Sequence, residues 1–396
     1  MPAFRQGKSR KPGERAARSA WWTALYGVTA FALSMLPVVA AGAALAVLTW
    51  FARGTRTLGE ALTAALAGVP LATVAGMAVF ALLTLVSVRL LGLGLHAGQH
   101  PVHSRQAWQA WATGRLMASA RVWLFPLYAS VLTPAWLRAL GMKVGRGVEL
   151  STVLALPTMT SVGDGAFLAD DTMVAPYELD GGWMRIATAR IGKRAFLGNS
   201  GMTAPGRKVP KDGLVGVLSA TPKKAKSGSS YVGMPPMKLR RTAEEGDRNR
   251  TYDPPARYKV ARAVVEAFRV VPAMCALALA VLAAGAFAAL ASRYGFAAAI
   301  ALGGVVMTAA GVVAAAVATA AKWLLVGRIR AATGRCGARS SGSTSWRTTS
   351  SRCWRRPGSR GRGWEPRRST CGCARSGHAL DMGSRVTRTG CPRRTW

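Results

Sequence analysis

Acidic residues are scarce in this chain. Asp and Glu number 16 against 53 Lys and Arg, a formal net charge of +37. Charged residues of both signs make up only 17% of it, where a soluble domain carries roughly a quarter. Four segments hold no Asp, Glu, Lys or Arg at all: residues 21–52, 61–88, 270–292 and 294–321. Each is longer than the ~20 residues a bilayer crossing requires, so a wholly soluble protein is excluded. Hydrophobic residues at 50% exclude disorder over most of the chain. Histidine is rarer still, with only His96, His100, His103 and His378. No Gly-rich loop ends in Lys-Ser/Thr, which excludes that kind of ATP site. No Cys-x-x-Cys pair stands at zinc spacing from histidines, and no metal site is expected. Cys275 lies in an apolar segment and the other five cysteines lie beyond residue 331, so cysteine says little about redox compartment.

The positive charge is distributed in a telling way. Residues 331–396 hold 15 Arg and no Lys, against Glu365 and Asp381 alone. The rest sits in the N-terminal tail and in loops beside the apolar segments. That placement fits anionic lipid headgroups and membrane topology. It does not fit nucleic acid, for which no reading module is present. The basic tail of residues 1–20 stays cytoplasmic by the positive-inside rule. The run after it is about twice the ~7–15 residues of a signal-peptide core, so it reads as a span. Two helix pairs follow, residues 21–95 and 266–330, with both termini and the region between the pairs on the cytoplasmic side. Arg53, Arg56 and Arg293 on the outer side depart mildly from the rule.

Residues 96–141 interleave Trp108, Trp111, Trp123, Trp136 and Tyr128 with Arg105, Arg115, Arg121 and Arg138. This suits a helix at headgroup level or, equally, a helical hairpin against a soluble domain. Residues 142–240 carry a different period. Val144, Leu150, Leu156, Val162, Leu168 and Val174 are each six apart, and the step resumes at Ile191, Leu197, Thr203, Val209 and Val215. Small residues follow many of them, among them Gly145, Gly163, Gly192 and Gly198. A six-residue step marks a parallel β-helix of hexapeptide repeats. The aliphatic points into a narrow interior and the small neighbour permits the corner. The interruption at residues 176–190 leaves this scaffold with Tyr177, Glu178 and Asp180, and is either a functional insertion or a solvated loop. After the coils, Lys223 and Lys224 read as phosphate or acidic-partner contacts, or as part of a solvated linker. Residues 241–265 are a linker.

Hexapeptide proteins resemble a large group of left-handed β-helix acyltransferases, which use a histidine base. No histidine lies between Val144 and Val215 here, which leaves as candidate bases Asp170, Asp171 and Glu178, together with His100 and His103 just after the second apolar segment, a His-x-x-His pair that could reach a domain at the membrane face or be plain polar surface. The runs HPVHSRQAWQAWATGRL, WLRALGMKVGRGVELSTV, VGDGAFLADDTMVAPYELDGGWMRI and IGKRAFLGNSGMTAPG resemble the membrane-embedded C-terminal region of nonribosomal-peptide-synthetase-like enzymes of the ε-poly-L-lysine synthetase type. That resemblance covers about residues 20–330. It implies four transmembrane helices in two pairs flanking a cytoplasmic left-handed parallel β-helix, in a bacterial cytoplasmic membrane. It also implies an acyltransferase- or condensation-like module joining carrier-bound aminoacyl units by amide bonds. The adenylation and carrier domains of such enzymes are not in this sequence. A phosphopantetheine arm would therefore come in trans on an aminoacyl carrier or adenylation-carrier protein, with homo-oligomerisation left open. The His-His-x-x-x-Asp-Gly motif of ordinary condensation domains is lacking too.

On this reading Glu178, Asp171 and Asp170 are the bases, with Asn199 and Ser200 on the facing coils. Tyr177, Asp180, Lys223 and Lys224 contact substrate. The alternatives are a non-catalytic membrane scaffold, an inactive remnant of a split synthetase, or a stand-alone acetyl-coenzyme-A-dependent transferase. The aperiodic Arg-rich tail at 331–396 has the composition of GC-rich coding DNA translated out of frame. Shifted by two nucleotides, synonymous codons for CARSGHALDMG admit Leu-Arg-Ala-Leu-Gly-Pro-Arg-Ile-Gly-His-Gly, close to the entry of the hexapeptide region at Leu137, Arg138, Ala139, Leu140 and Gly141. A genuine disordered basic tail is the alternative.

Overall fold

The computed structural model describes residues 19–174, 177–240, 256–325 and 327. The basic N-terminal tail, most of the linker and the Arg-rich tail from 331 onward lie outside the described residues. Among the described residues, four helical stretches are long and apolar enough to cross a membrane. Helices α1 (Ala20–Phe51) and α2 (Leu58–Leu91) form the first pair. Helix α2 opens on Thr57, whose side chain accepts the Glu60 amide, a cap that satisfies one orphan N–H. After residue 255 come α5 (Ala256–Ala267), a 3-10 turn at Phe268–Val270, α6 (Val271–Tyr294) and α7 (Phe296–Leu325), preceded in the chain by α3 (Arg105–Trp123) and α4 (Thr133–Ala139). Small residues set the crossings. A Cβ on Gly285 of α6 would meet the Leu62 side chain of α2, and one on Gly303 of α7 would lie 2.8 Å from Phe287. Such close approach is how apolar helices gain packing where no hydrophobic drive exists between them.

The strands between the pairs are two to four residues long. They are β1 (Gly98–Pro101), β2 (Lys143–Val144), β3 (Glu149–Leu150), β4 (Leu154–Ala155), β5 (Thr160–Val162), β6 (Phe167–Leu168) and β7 (Met173–Val174). Then follow β8 (Glu178–Asp180), β9 (Trp183–Ile186), β10 (Ala189–Ile191), β11 (Phe196–Leu197), β12 (Met202–Thr203), β13 (Lys208–Val209), β14 (Leu214–Val215), β15 (Ser230–Val232) and β16 (Met237–Leu239). The chain visits three parallel sheets in rotation: β2-β5-β10-β13, then β3-β6-β11-β14-β15, then β4-β7-β12, with β16 added antiparallel to β15. The register pairs Val144 with Val162, Val162 with Ile191 and Ile191 with Val209 on the first face. Leu150, Leu168, Leu197 and Val215 pair on the second. These inward residues form one continuous buried core with Leu137 and Leu140 of the α4 segment and Leu116, Met117 and Ala120 of α3. Where the third column turns polar, Thr203 and Thr221 bond each other through their hydroxyls at 3.0 Å.

Two features differ from the sequence pattern. Ala155, not Leu156, stands opposite Val174. The first coil turns its second corner one residue early, and the 3-10 turn Pro157–Met159 restores the phase before β5. Leu156 packs instead with Leu95, Ala107, Ala110, Met159, Met184 and Ile186, joining the coils to α3. The interruption at 176–190 is a β-hairpin rather than an irregular loop: β8 and β9 pair across Gly181 and Gly182, at φ +54° and +84°. A two-residue turn with both φ positive matches the strand twist, and glycine adopts it without strain.

Helix α3 carries the aromatic-basic pattern and bridges the first helix pair to the coils. Trp108 Nε1 donates to Thr29 Oγ1 at 2.9 Å, and Trp111 meets Tyr26 edge-on at 4.9 Å. Trp136 and Tyr128 are buried and bonded to each other. Only Trp123 of this group is mostly exposed.

The corner at Gly163 offers a direct test of the stack. A Cβ there would sit 2.8 Å from the Lys193 amide nitrogen, which belongs to the next coil and cannot swing aside as a side chain would. Gly163→Val is expected to cost about 1–3 kcal/mol by overpacking and to lower the thermal midpoint of the detergent-solubilised protein. A melt superimposable on the parent's would contradict the coil-on-coil register.

Candidate functional site

The hairpin gains a third strand from outside the coils. β1, in the link between α2 and α3, pairs antiparallel with β9, so Gln99 faces Arg185 and His100 faces Met184. Strand parity then sorts the side chains. Met184 points into the packing between α3 and the coils, so His100 shares that side. Gln99, Arg185 and Glu178 share the other. There Arg185 Nη1 donates to Glu178 Oε2 at 3.4 Å, with Glu178 the more buried of the two. The Arg185 guanidinium lies 3.3 Å from the Cβ position of Gly206, at the matching corner one coil on. Tyr177 packs against α3 near Gly114; burial raises its hydroxyl pKa, opposed by the Arg115 charge. Asp180 is exposed at the hairpin turn.

His100, one of the two histidines the sequence placed within reach of this domain, arrives at the hairpin. No histidine lies in the coil sequence, yet β1 carries one to the hairpin. Its ring stands edge-on to His96 at 4.9 Å, and its Nε2 lies 3.3 Å from the His96 carbonyl oxygen. A carbonyl only accepts, so Nε2 holds the proton and Nδ1 the lone pair. Burial holds the pKa of His100 below the usual histidine value, partly offset by the bond to the His96 carbonyl.

Asp170, Asp171, Asn199 and Ser200 occupy the corner between the second and third faces, so the structure does not bring them together with the hairpin. The hairpin leaves the opposite edge of the third face, after β7. Asp171 takes Arg121 of α3 at 2.7 Å, and its amide donates to Thr152 Oγ1 at 2.8 Å. Asp170 accepts the Ser151 hydroxyl. Asn199 and Ser200 tie this corner to its neighbours through backbone bonds, Ser200 N to the Asp170 oxygen at 2.9 Å and Leu218 N to the Asn199 oxygen at 2.9 Å. Asp171 and Ser200 both hold left-handed φ, +54° and +51°, which Asp tolerates better than most residues. Lys223 and Lys224 are exposed on the loop beyond β14.

A further set of cations escaped the sequence reading. The residue before each inward aliphatic of the first face is Lys143, Ser161, Arg190 or Lys208, and these four lie side by side along one ladder. The signal was present one position away from the aliphatic that was counted.

The lowered pKa of His100 has a thermodynamic consequence. The unfolded chain takes up a proton near pH 6.5 that the folded state resists, so stability is full above that pH and falls as pH drops through it. The thermal midpoint is expected to decline on acidification from about pH 7 to 5, and His100→Gln should flatten part of that decline. An unchanged profile in the variant would show that His100 is not held neutral by its surroundings.

No family model matches the chain. Part of it is similar to the delta-poly-L-ornithine synthetase of Acinetobacter baumannii (strain AB307-0294), 33% identical over 189 residues, which is 46% of this chain and 14% of that protein. Among solved structures, the maltose O-acetyltransferase from Clostridium difficile 630 aligns at 16% identity with a TM-score of 0.25, over 38% of this chain and 95% of that one. The soybean serine acetyltransferase apoenzyme aligns at 15% identity with a TM-score of 0.24, over 50% of this chain and 68% of that one. Scores this low carry no functional conclusion.

Proposed function

We propose that this chain is a membrane-embedded acyl-transfer module that joins carrier-bound aminoacyl units through amide bonds. The observation that carries the reading is the partial match to a poly-ornithine synthetase, which falls on a chain whose three-sheet coil is flanked by apolar helix pairs. The coil is read as a left-handed β-helix on the cytoplasmic side of a bacterial membrane, with the substrate thioester borne on the phosphopantetheine arm of a separate carrier protein. The chain spans 14% of the relative's length.

In this reading the hairpin is the reacting edge. Glu178 takes the proton of the attacking ammonium, and Arg185, 3.4 Å away, positions its carboxylate. The freed amine forms the C–N bond at the thioester carbonyl and releases its second proton to water; the C–S bond breaks and the leaving thiolate takes the first proton from Glu178. Tyr177 and Asp180 line the approach, and Lys223 and Lys224 are assigned to holding the carrier's phosphate. Asp170, Asp171, Asn199 and Ser200 keep the far corner of the same face in shape.

A non-catalytic scaffold is the second reading. It is favoured by the engagement of both outward carboxylates with arginines, Asp171 with Arg121 and Glu178 with Arg185. The two separate in one assay. Purified full-length protein given an aminoacyl-loaded carrier and a free amine acceptor should form amide product, and Glu178→Gln should slow it by about 10²–10⁴-fold with the melt unchanged. Product formation at the parent rate in Glu178→Gln rejects Glu178 as the base. No product from the parent leaves the scaffold.

A further inference from the structure

The first face of the coil presents cations that the fold does not neutralise. Lys143, Arg190 and Lys208 stand outward and exposed on the β2-β5-β10-β13 sheet, with Ser161 between the first two. Lys193 and Lys211 stack at the corner that follows. Together with Gly145, Gly163 and Gly192 they line an open recess of ≈ 550 Å³. Two acids stand at that corner: Asp164, held below the usual carboxylate range by the Arg146 amide and by Lys193, pairs with Lys193 at 3.0 Å, and Asp212 pairs with Arg194 at 2.7 Å. Among the described residues no acid pairs with Lys143, Arg190, Lys208 or Lys211. Strands in a sheet lie about 4.8 Å apart, and like charges directly opposite are destabilising. Arg190 and Lys208 are such a pair. The ladder has no need of them, because Ile191 and Val209 beside them already supply the buried stack.

We infer that this face is the docking surface for an acidic protein domain, namely the carrier that delivers the acyl group; this rests on the acyl-transfer reading above. Three observations select that occupant. The outward row contains no aromatic or aliphatic side chain, whereas a surface that settles into a bilayer couples basic residues to apolar anchors. It offers no ring for a base to stack on, as single-stranded nucleic acid requires. Its position also serves delivery. Strand β10, which carries Arg190, follows the Glu178 hairpin after only Ala187 and Thr188, so a domain seated on the face stands beside the proposed reacting edge.

The test measures binding and transfer separately. Full-length protein in phosphatidylcholine nanodiscs is titrated with a purified aminoacyl-carrier domain of acidic surface. Binding is expected to weaken steeply with salt. Arg190→Glu combined with Lys208→Glu should weaken it by roughly tenfold or more, whereas Lys238→Glu, on β16, should not. The thermal midpoint of the double variant should stay near the parent's, because both side chains are exposed and outside the buried Ile191–Val209 stack, and this separates lost docking from lost folding. Carrier binding equal to the parent's in the double variant overturns the proposal. So does a carrier that fails to bind the parent while phosphatidylglycerol vesicles or duplex DNA bind and are released by the same reversals. Salt-sensitive carrier binding lost on reversal, without amide product from the parent, upholds the docking surface and removes the acyl-transfer reading instead.

Discussion

The structure between the helix pairs depends on how closely one coil lies on the next. At Gly163, Gly192 and Gly198 the neighbouring coil's backbone comes within 3 Å of where a Cβ would be. This closeness lets Val144, Val162, Ile191 and Val209 stack as a single column. Backbone N–H groups on the corners then find carbonyls one coil away, as Gly163 N does at the Ile191 oxygen and Gly192 N at the Val209 oxygen. Such short strands would not hold alone; stacking makes them a rigid scaffold with three faces of fixed chemistry. One face is basic. One carries Phe167 and Phe196 with rings stacked at 5.3 Å. The third packs towards α3 and carries the hairpin at one edge.

The scaffold is tied to the apolar helices by polar contacts as well as by packing. Arg121 of α3 holds Asp171. Arg269, in the 3-10 turn before α6, donates to the carbonyls of Phe125, Tyr128 and Ala129. Glu266 accepts the Val131 amide at 2.7 Å, and Arg262 bridges Glu266 to Glu149 on the second face. Half-exposed ion pairs add little stability. Their value lies in geometry, because they fix the angle at which the coil meets both helix pairs. The engagement of Asp170 and Asp171 in this junction explains why acidic residues, scarce elsewhere, gather at one corner.

Much of the architecture was legible in the sequence. The charge-free segments marked the four long apolar helices to within a few residues, and the six-residue step marked the inward columns. Leu156 misled because one corner is a residue short, a local geometry that periodicity averages over. The hairpin was visible only as a break in the period. Its partner strand at Gly98–Pro101 lies far upstream, and such long-range antiparallel pairing leaves no local spacing to read. For the same reason Glu178 and Asp171, close in sequence, fall on opposite edges of a face, while His100, distant in sequence, arrives at the hairpin. The basic ladder was hidden differently: its members stand at positions of the repeat where any polar residue is tolerated, so only the coil register shows that they converge.

The most direct test of the stacked coil is a disulfide trap on its basic face. With the native cysteines replaced by serine, Ser161→Cys and Arg190→Cys stand directly opposite in register, at the roughly 5 Å that a disulfide spans. Ser161→Cys and Lys208→Cys are two coils apart, at about 10 Å. Mild oxidation followed by gel mobility should show an intramolecular bridge in the first pair and none in the second. Equal bridging in both, or a bridge only in the second, would contradict the stacked coil and the docking face built on it.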